Sequence, residues 1–200
     1  MFNFLSFKTK NFLPEALDCI LCADEMSIKT HIFYNVSKDK IIGLNQAKNC
    51  KTYEPANHPL VFIIRGIIYS WKQPISYYLI SNSCSGMDLN DIIYSTIHRL
   101  HYRNINVKAF ITDQGPNFIQ FSNNNNISPI EPYFEVDEKR VVYLFDPPHL
   151  LKSTRNMFFK HNFYINDDLV EKRYLNTYYN YDSKCNDSKI DVFARLSRTI

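Results

Sequence analysis

Three apolar runs in this chain each stop abruptly at an aspartate, and that pattern constrains the fold more than any other feature. They are LDCILCAD (17–24), VKAFITD (107–113) and VVYLFD (141–146). Short runs rich in Val, Ile, Leu and Phe read as strands, and the nearly continuous first run reads as a strand buried on both faces. A carboxylate at the end of a buried strand is costly unless a partner meets it. An Asp after a strand is also an ordinary helix N-cap or turn residue, so spacing alone leaves both readings open.

The text between these runs predicts the remaining elements. IKTHIFYNV (28–36) and KIIGL (40–44) flank the polar turn SKDK and predict a hairpin. Residues 45–59 are polar, carry two prolines and read as a loop, after which LVFIIRGII (60–68) and ISYYLI (75–80) predict two strands. Leu89, Ile92, Ile93, Ile97 and Leu100 recur at helical spacing, with Ser85 and Asp88 forming a capping box. QGPNFIQF reads as a short helix or turn, and SNNNNIS as a solvated loop. PPHLLKSTRNMFFKH opens another helix, because proline is tolerated in a first turn. Its Leu150, Leu151, Thr154, Met157 and Phe158 share a face. Past residue 163 a polar, tyrosine-rich stretch predicts one helix around 167–179, and DVFARLSRTI reads as the start of an amphipathic helix.

Strands that can pair antiparallel, followed by alternating helices and strands, specify an α/β fold. The expected architecture is a mixed sheet flanked by helices, followed by a mainly helical segment. Ligands of such sheets sit beyond the carboxyl ends of the strands, where the three aspartates fall. Two hundred residues, 45% hydrophobic and 15% aromatic, suit one medium domain or one and part of a second. A net charge of +3 permits a polyanionic partner without demanding one. Five cysteines, odd in number and irregularly spaced, argue against a disulfide framework and for a reducing compartment. Cys19 and Cys22 form a CxxC inside the first strand, where alternation sends them to opposite faces, so they cannot grip one metal. The apolar opening MFNFLSFKTKNFLPE is broken by Lys8, Lys10 and Pro14, which gives neither a signal peptide nor a span. A cytosolic or nuclear protein without a membrane partner is expected.

If the first two of the three strands are neighbours, about 4.8 Å apart, Asp24 and Asp113 can face each other. Carboxylates that close repel, and one protonates unless a cation sits between them. Oxygen-only ligands favour Mg²⁺ or Mn²⁺. Glu25, the next residue of an extended chain, points away from Asp24 and is left out of the ligand set. His149 follows Asp146 by three residues and reaches back over the same helical turn, as a capping bond or as part of a site. Lys152 and Arg155, at i and i+3, could meet phosphate oxygens or form a solvated basic face. His31, His58, His98, His101 and His161 are scattered and carry no assignment. With four glycines and no P-loop, GxGxxG or zinc-finger spacing, a small α/β hydrolase or nucleotide binder using the strand-end acids ranks last.

DEMSIK…YNVSKDKIIGL, VFIIRGI…KQPISYYL, ITDQGPNF and YLFDPPHLLKSTRNMFFKHNF, in that order over most of residues 17–165, resemble the P-element transposases. The resemblance extends to their relatives that carry an N-terminal THAP zinc finger, and FDPPHLLKSTRN is its most specific part. It implies an RNase H-like catalytic domain that cuts and joins DNA with two divalent metal ions. By it, Asp24 and Asp113 correspond to the first and second catalytic acids, and Asp146 and His149 to the Asp/Cys-x-x-His pair found near the active site. The implied division is an N-terminal extension (1–16), the first part of the RNase H-like domain (17–145), and the beginning of a helical GTP-binding insertion (146–200). The resemblance also implies transposon-end and target DNA as partners, GTP in the full-length family, a nuclear location and room for a homo-oligomer. The third acid, a glutamate, is expected only after the insertion, and Asp182, Asp187 and Asp191 lie too close to the third strand to replace it. The chain alone is therefore expected to be inactive, with a non-catalytic DNA- or protein-binding module as the alternative.

Overall fold

The computed structural model describes residues 2–46, 53–81 and 86–182. The chain divides after His149 into two compact units. In the first, helix α1 (Phe2–Thr9) and a single 3-10 turn (Pro14–Leu17) lead into strand β1 (Asp18–Glu25). A small hairpin follows, β2 (Phe33–Asn35) and β3 (Lys40–Ile42), then β4 (His58–Gly66) and β5 (Lys72–Ile80). Helix α2 (Gly86–His101), β6 (Asn106–Thr112), α3 (Pro116–Asn124), β7 (Tyr133–Val136) and β8 (Lys139–Phe145) complete the sheet. Helix α4 (Pro147–Lys160) begins at its end. The second unit holds most of α4, a hairpin of β9 (Phe163–Ile165) and β10 (Asp168–Val170), and α5 (Lys172–Asp182).

Six strands form one mixed sheet in the order β5-β4-β1-β6-β8-β7. β5, β4 and β1 meander antiparallel, β1, β6 and β8 run parallel, and β7 closes the far edge antiparallel to β8. One face is sealed. Cys19, Leu21 and Ala23 of β1 alternate into it with Leu60, Phe62 and Ile64 of β4. Leu89, Ile93, Ile97 and Leu100 of α2 are all fully buried in the same core, the amphipathic stripe the periodicity predicts. Phe121 of α3 sits among Phe110, Phe134 and Tyr143, with ring centroids 5.9, 5.2 and 5.7 Å away. Each such ring withdrawn from water contributes about 1.5–3 kcal/mol.

The other face of β1 is only half-buried at Ile20 and Cys22, short of the burial on both faces that the sequence suggests. Residues Phe2–Thr9, inside the expected extension, are a helix whose Leu5 is fully buried in the domain core. Lys8 Nζ reaches Gln73 Oε1 at 3.3 Å, and Trp71 Nε1 donates to the Ala16 carbonyl at 3.0 Å.

Two hairpins replace segments read differently from the sequence. β7 and β8 turn through Asp137 and Glu138 (φ 54° and 61°), and β9 and β10 through Asn166 and Asp167 (φ 50° and 68°). Paired left-handed residues of these types make the two-residue turn whose twist suits a hairpin. The helix expected around 167–179 accordingly starts later, at Lys172. Ser85 of the capping box, the terminal DVFARLSRTI, Asp187 and Asp191 lie outside the described residues, as does the side chain of Asp182.

Candidate functional site

The three strand-end aspartates belong to three adjacent parallel strands, and the ladder fixes which way they face. Cys22 is opposite Ile111 on β6, and Ile111 is opposite Leu144 on β8. Two residues further along each strand, alternation returns to the same face with Asp24, Asp113 and Asp146. The Asp146 N–H donates to the Thr112 carbonyl at 2.7 Å, so the parallel pairing continues to that row. On the same face, burial pushes the Cys22 thiol to higher pKa, the Asp146 carboxylate adds to this and Arg65 opposes it.

A bulge decides this outcome. Cys19 pairs with Val107 but Ile20 pairs with Ala109, so Lys108 is an extra residue on β6. Val107 faces the sealed core, and beyond the bulge Phe110 and Thr112 do so, in the opposite parity. Were Lys108 an ordinary paired residue of a regular strand, strict alternation from Val107 would turn Asp113 into the core.

Asp113 is held by the turn it starts. Its Oδ1 accepts the Gly115 N–H at 2.9 Å, an Asx turn that leads into α3 through Pro116. A Cβ on residue 115 would lie 3.0 Å from that oxygen, which explains a glycine at an ordinary helix-entry φ of −58°. Behind the turn, Thr112 Oγ1 lies 2.9 Å from the Asp113 carbonyl and 2.8 Å from Tyr143 Oη, itself 3.2 Å from the Phe118 carbonyl. Burial, opposed by the Thr112 bond and helped by the Asp113 charge, pushes the Tyr143 phenol up to about 12.

Asp146 Oδ2 meets His149 Nδ1 at 2.6 Å across the first turn of α4, the contact that their spacing suggests. Glu25, left out of the sequence-based ligand set, is half-buried and accepts Asn117 Nδ2 at 2.8 Å. Burial raises its pKa most; Asn117 and His58 oppose this, and the charges of Asp113 and Asp24 add to it. Sequence reasoning missed Asn117, Thr112 and Tyr143. The only signal for Asn117 is its place in DQGPN, one residue after a proline at a helix start.

Lys152 and Arg155 belong to the second unit, on the part of α4 beyond His149, and Arg155 Nη2 donates to Asn156 Oδ1 at 3.1 Å. His98 and His101, unassigned from the sequence, both reach Asp137, at 2.7 and 3.0 Å. Among the described residues, no group of three or more His, Cys, Asp or Glu is arranged to hold a metal ion. No described helix is long and apolar enough to cross a membrane.

A mixed sheet with helices against it and acids at the carboxyl ends of its central parallel strands is an RNase H-like arrangement. Residues 1–125 match the family described as TNP-like, RNase H N-terminal domain, and the chain belongs to that family. It is similar to the transposable element P transposase of Drosophila melanogaster, 25% identical over 182 residues that cover 90% of this chain and 22% of the relative. Its fold is that of a chain in the Drosophila P element transposase strand transfer complex, with a TM-score of 0.71 and 24% identity. That match covers 94% of this chain and 39% of the solved one. The chain thus spans about a fifth of the curated relative's length, and the likeness is to P-element-type transposases.

Proposed function

We propose that this chain is the first part of an RNase H-like domain that cuts and joins DNA phosphodiesters, as in a P-element-type transposase. Asp24 and Asp113 are its metal-holding, catalytic carboxylates, with Asp146 and His149 beside them. The observation that carries this reading is the shared face of Asp24, Asp113 and Asp146 on three neighbouring strands. Carboxylates alone, at the open end of a sheet, are a donor set that fits a hard divalent ion, Mg²⁺ or Mn²⁺. Such an ion, when bound, makes water or a 3′-hydroxyl a better nucleophile and offsets charge on the departing oxygen.

The chain's own residues prepare that site. The Gly115 N–H engages one oxygen of Asp113 and so fixes its carboxylate plane. His149 donates through Nδ1 to Asp146 and keeps that carboxylate over the first turn of α4. Lys152 and Arg155 are proposed phosphate contacts on the later turns of that helix. GTP, the two DNA partners, self-association and a nuclear location are proposed for the longer family protein, with the insertion beginning near residue 146.

Alone, this chain is read as inactive, since two carboxylates do not complete a two-ion cage. A second reading is a non-catalytic DNA- or protein-binding module of transposon origin, in which the strand-end acids serve as turn and cap residues. The bonds of Asp113 to the Gly115 N–H and of Asp146 to His149 would also suit that role. Calorimetric titration with Mn²⁺ separates the two. Binding by the wild type, lost in Asp24→Ala and in Asp113→Ala, is expected. A wild-type chain indifferent to Mn²⁺ and Mg²⁺ would leave only the binding module.

A further inference from the structure

The backbone ladder does not hold Asp24 against Asp113. Pairing between β1 and β6 runs from Asp18–Asn106 to Cys22–Ile111. The last three residues of β1, from Ala23 to Glu25, pair only with β4 on the far side, opposite Phe62, Val61 and Leu60. The end of β1 is therefore free to splay from β6 at the very row where the two acids face the same way. One described side-chain bond crosses this gap: Asn117 Nδ2 to Glu25 Oε1, 2.8 Å, between residues 92 apart in sequence.

Asn117 is well anchored for such work. It lies in the first turn of α3, the helix whose Gly115 N–H engages Asp113, and its neighbour Phe118 is 1% exposed in the core. The same helix start thus grips Asp113 through the backbone and Glu25 through a side chain. The donor type also suits the place. An amide holds a carboxylate without bringing a positive charge that would compete with a cation at Asp24 and Asp113.

We propose that Asn117 is a positioning residue: by donating to Glu25 it fixes the carboxyl end of β1 against the Asp113 turn and so sets the separation of Asp24 and Asp113. Its importance for metal binding rests on the reading of those two acids given above. Reversing the polarity of the bond tests it. In the double variant Glu25→Gln/Asn117→Asp, the amide introduced on β1 donates to the carboxylate introduced on α3, and an acid in a first helical turn is favourable for the helix.

The test uses the full metal-free chain for hydrogen exchange at the Gly115 amide, and the same samples for Mn²⁺ calorimetry. Asn117→Ala should quicken Gly115 exchange and weaken Mn²⁺ binding, each by about ten- to a hundredfold, the effect of losing a bond to a charged acceptor. Asn117→Asp should do worse through carboxylate repulsion, and the double variant should recover both readings. Glu25→Gln alone tests the bond from its other end should Asn117→Ala fail to fold. Unchanged exchange and affinity in Asn117→Ala would overturn the inference. So would a double variant no better than Asn117→Asp, which is the result expected if the Glu25 carboxylate were itself a ligand. Exchange that follows the bond in a chain that never takes up Mn²⁺ would support the brace and end the metal reading.

Discussion

Tyr143→Phe isolates the polar brace behind the Asp113 turn. The ring is buried among Phe110, Phe121 and Phe145, with centroids 5.7, 5.7 and 5.3 Å away, and the substitution leaves that packing intact. What goes is one hydroxyl, 2.8 Å from Thr112 Oγ1 and 3.2 Å from the Phe118 carbonyl. A buried hydrogen bond of this kind contributes about 0.5–1.5 kcal/mol, and a partner left unsatisfied costs about 1–3 kcal/mol. The geometry therefore calls for a loss of about 1–2 kcal/mol at neutral pH. For a chain of this size that is a fall of about 3–6 °C in Tm, measured by circular dichroism with a urea series to confirm an unchanged slope. The pH dependence supplies a second, signed test. The folded phenol is pushed up to about 12, so its stabilising contribution is full below its ordinary value near 10 and declines as pH climbs through 12. The wild-type advantage over Tyr143→Phe should therefore shrink between about pH 10 and 12. Equal stabilities at neutral pH, or a gap that widens in alkali, would refute the account of Tyr143 as a satisfied, neutral, buried donor.

Other expectations follow from the same geometry. Gly115→Ala sets a Cβ 3.0 Å from Asp113 Oδ1, so the carboxylate must shift and its bond from the residue-115 N–H weakens; a loss of about 1 kcal/mol is expected, together with weaker Mn²⁺ uptake in the calorimeter. Burial pushes His101 below its ordinary value against the Asp137 bond, with Lys139 and His98 also lowering it. Its contribution is full above its ordinary value of 6.5 and falls as pH drops through the lowered one. His101→Asn keeps a donor toward Asp137 without titrating, so urea midpoints measured from about pH 7 to 5 should decline less in the variant. Cys19 is fully buried and its thiol is pushed up to about 12, so maleimide labelling read by mass spectrometry should spare it in the folded chain and reach it in urea. Phe121→Ala removes the ring at the centre of the aromatic cluster and should cost about 3–5 kcal/mol in chemical denaturation.

The long elements were legible because their patterns were strong. The α2 stripe of Leu89, Ile93, Ile97 and Leu100 and the apolar runs of β1, β4 and β8 could serve only as core-facing helix and strands. The β7 strand was not, since four residues with two buried side chains are too short for a periodicity to show. Its turn, Asp137–Glu138, lacks the glycine that usually announces a hairpin. The site was legible in its acids and illegible in its supports. A strand-end Asp catches the eye for electrostatic reasons, whereas Asn117, Thr112 and Tyr143 gain meaning only from residues far away in sequence. Glu25 was set aside by alternation along β1, which is correct for the strand. Nothing in that local pattern reveals that α3 returns over the strand ends with a donor aimed at it.

The bulge at Lys108 shows why alternation could not have placed Asp113. Reading outward from Val107, a regular strand puts residues 107, 109, 111 and 113 on one face, and Val107 is 2% exposed on the core side. On that count Asp113 would turn inward, toward the side where Phe118 and Tyr143 pack, and its charge would be stranded. The inserted residue reverses the count, so Phe110 and Thr112 take the inward positions and Asp113 joins Asp24. The bulged residue is a lysine, half-exposed, whose Nζ lies 3.7 Å from Asp18 Oδ2 at the opposite end of β1 from Asp24. A long charged side chain tolerates the irregular, unpaired position because its head stays in water. The irregularity at one end of β6 and the orientation of the acid at its other end are thus one structural fact. Deleting Lys108 tests this: Val107, Phe110 and Thr112 then alternate inward with Ala109, Ile111 and Asp113 outward in a regular strand, so the sheet should keep its faces. A deletion variant that loses them in urea denaturation and Mn²⁺ calorimetry would refute the account.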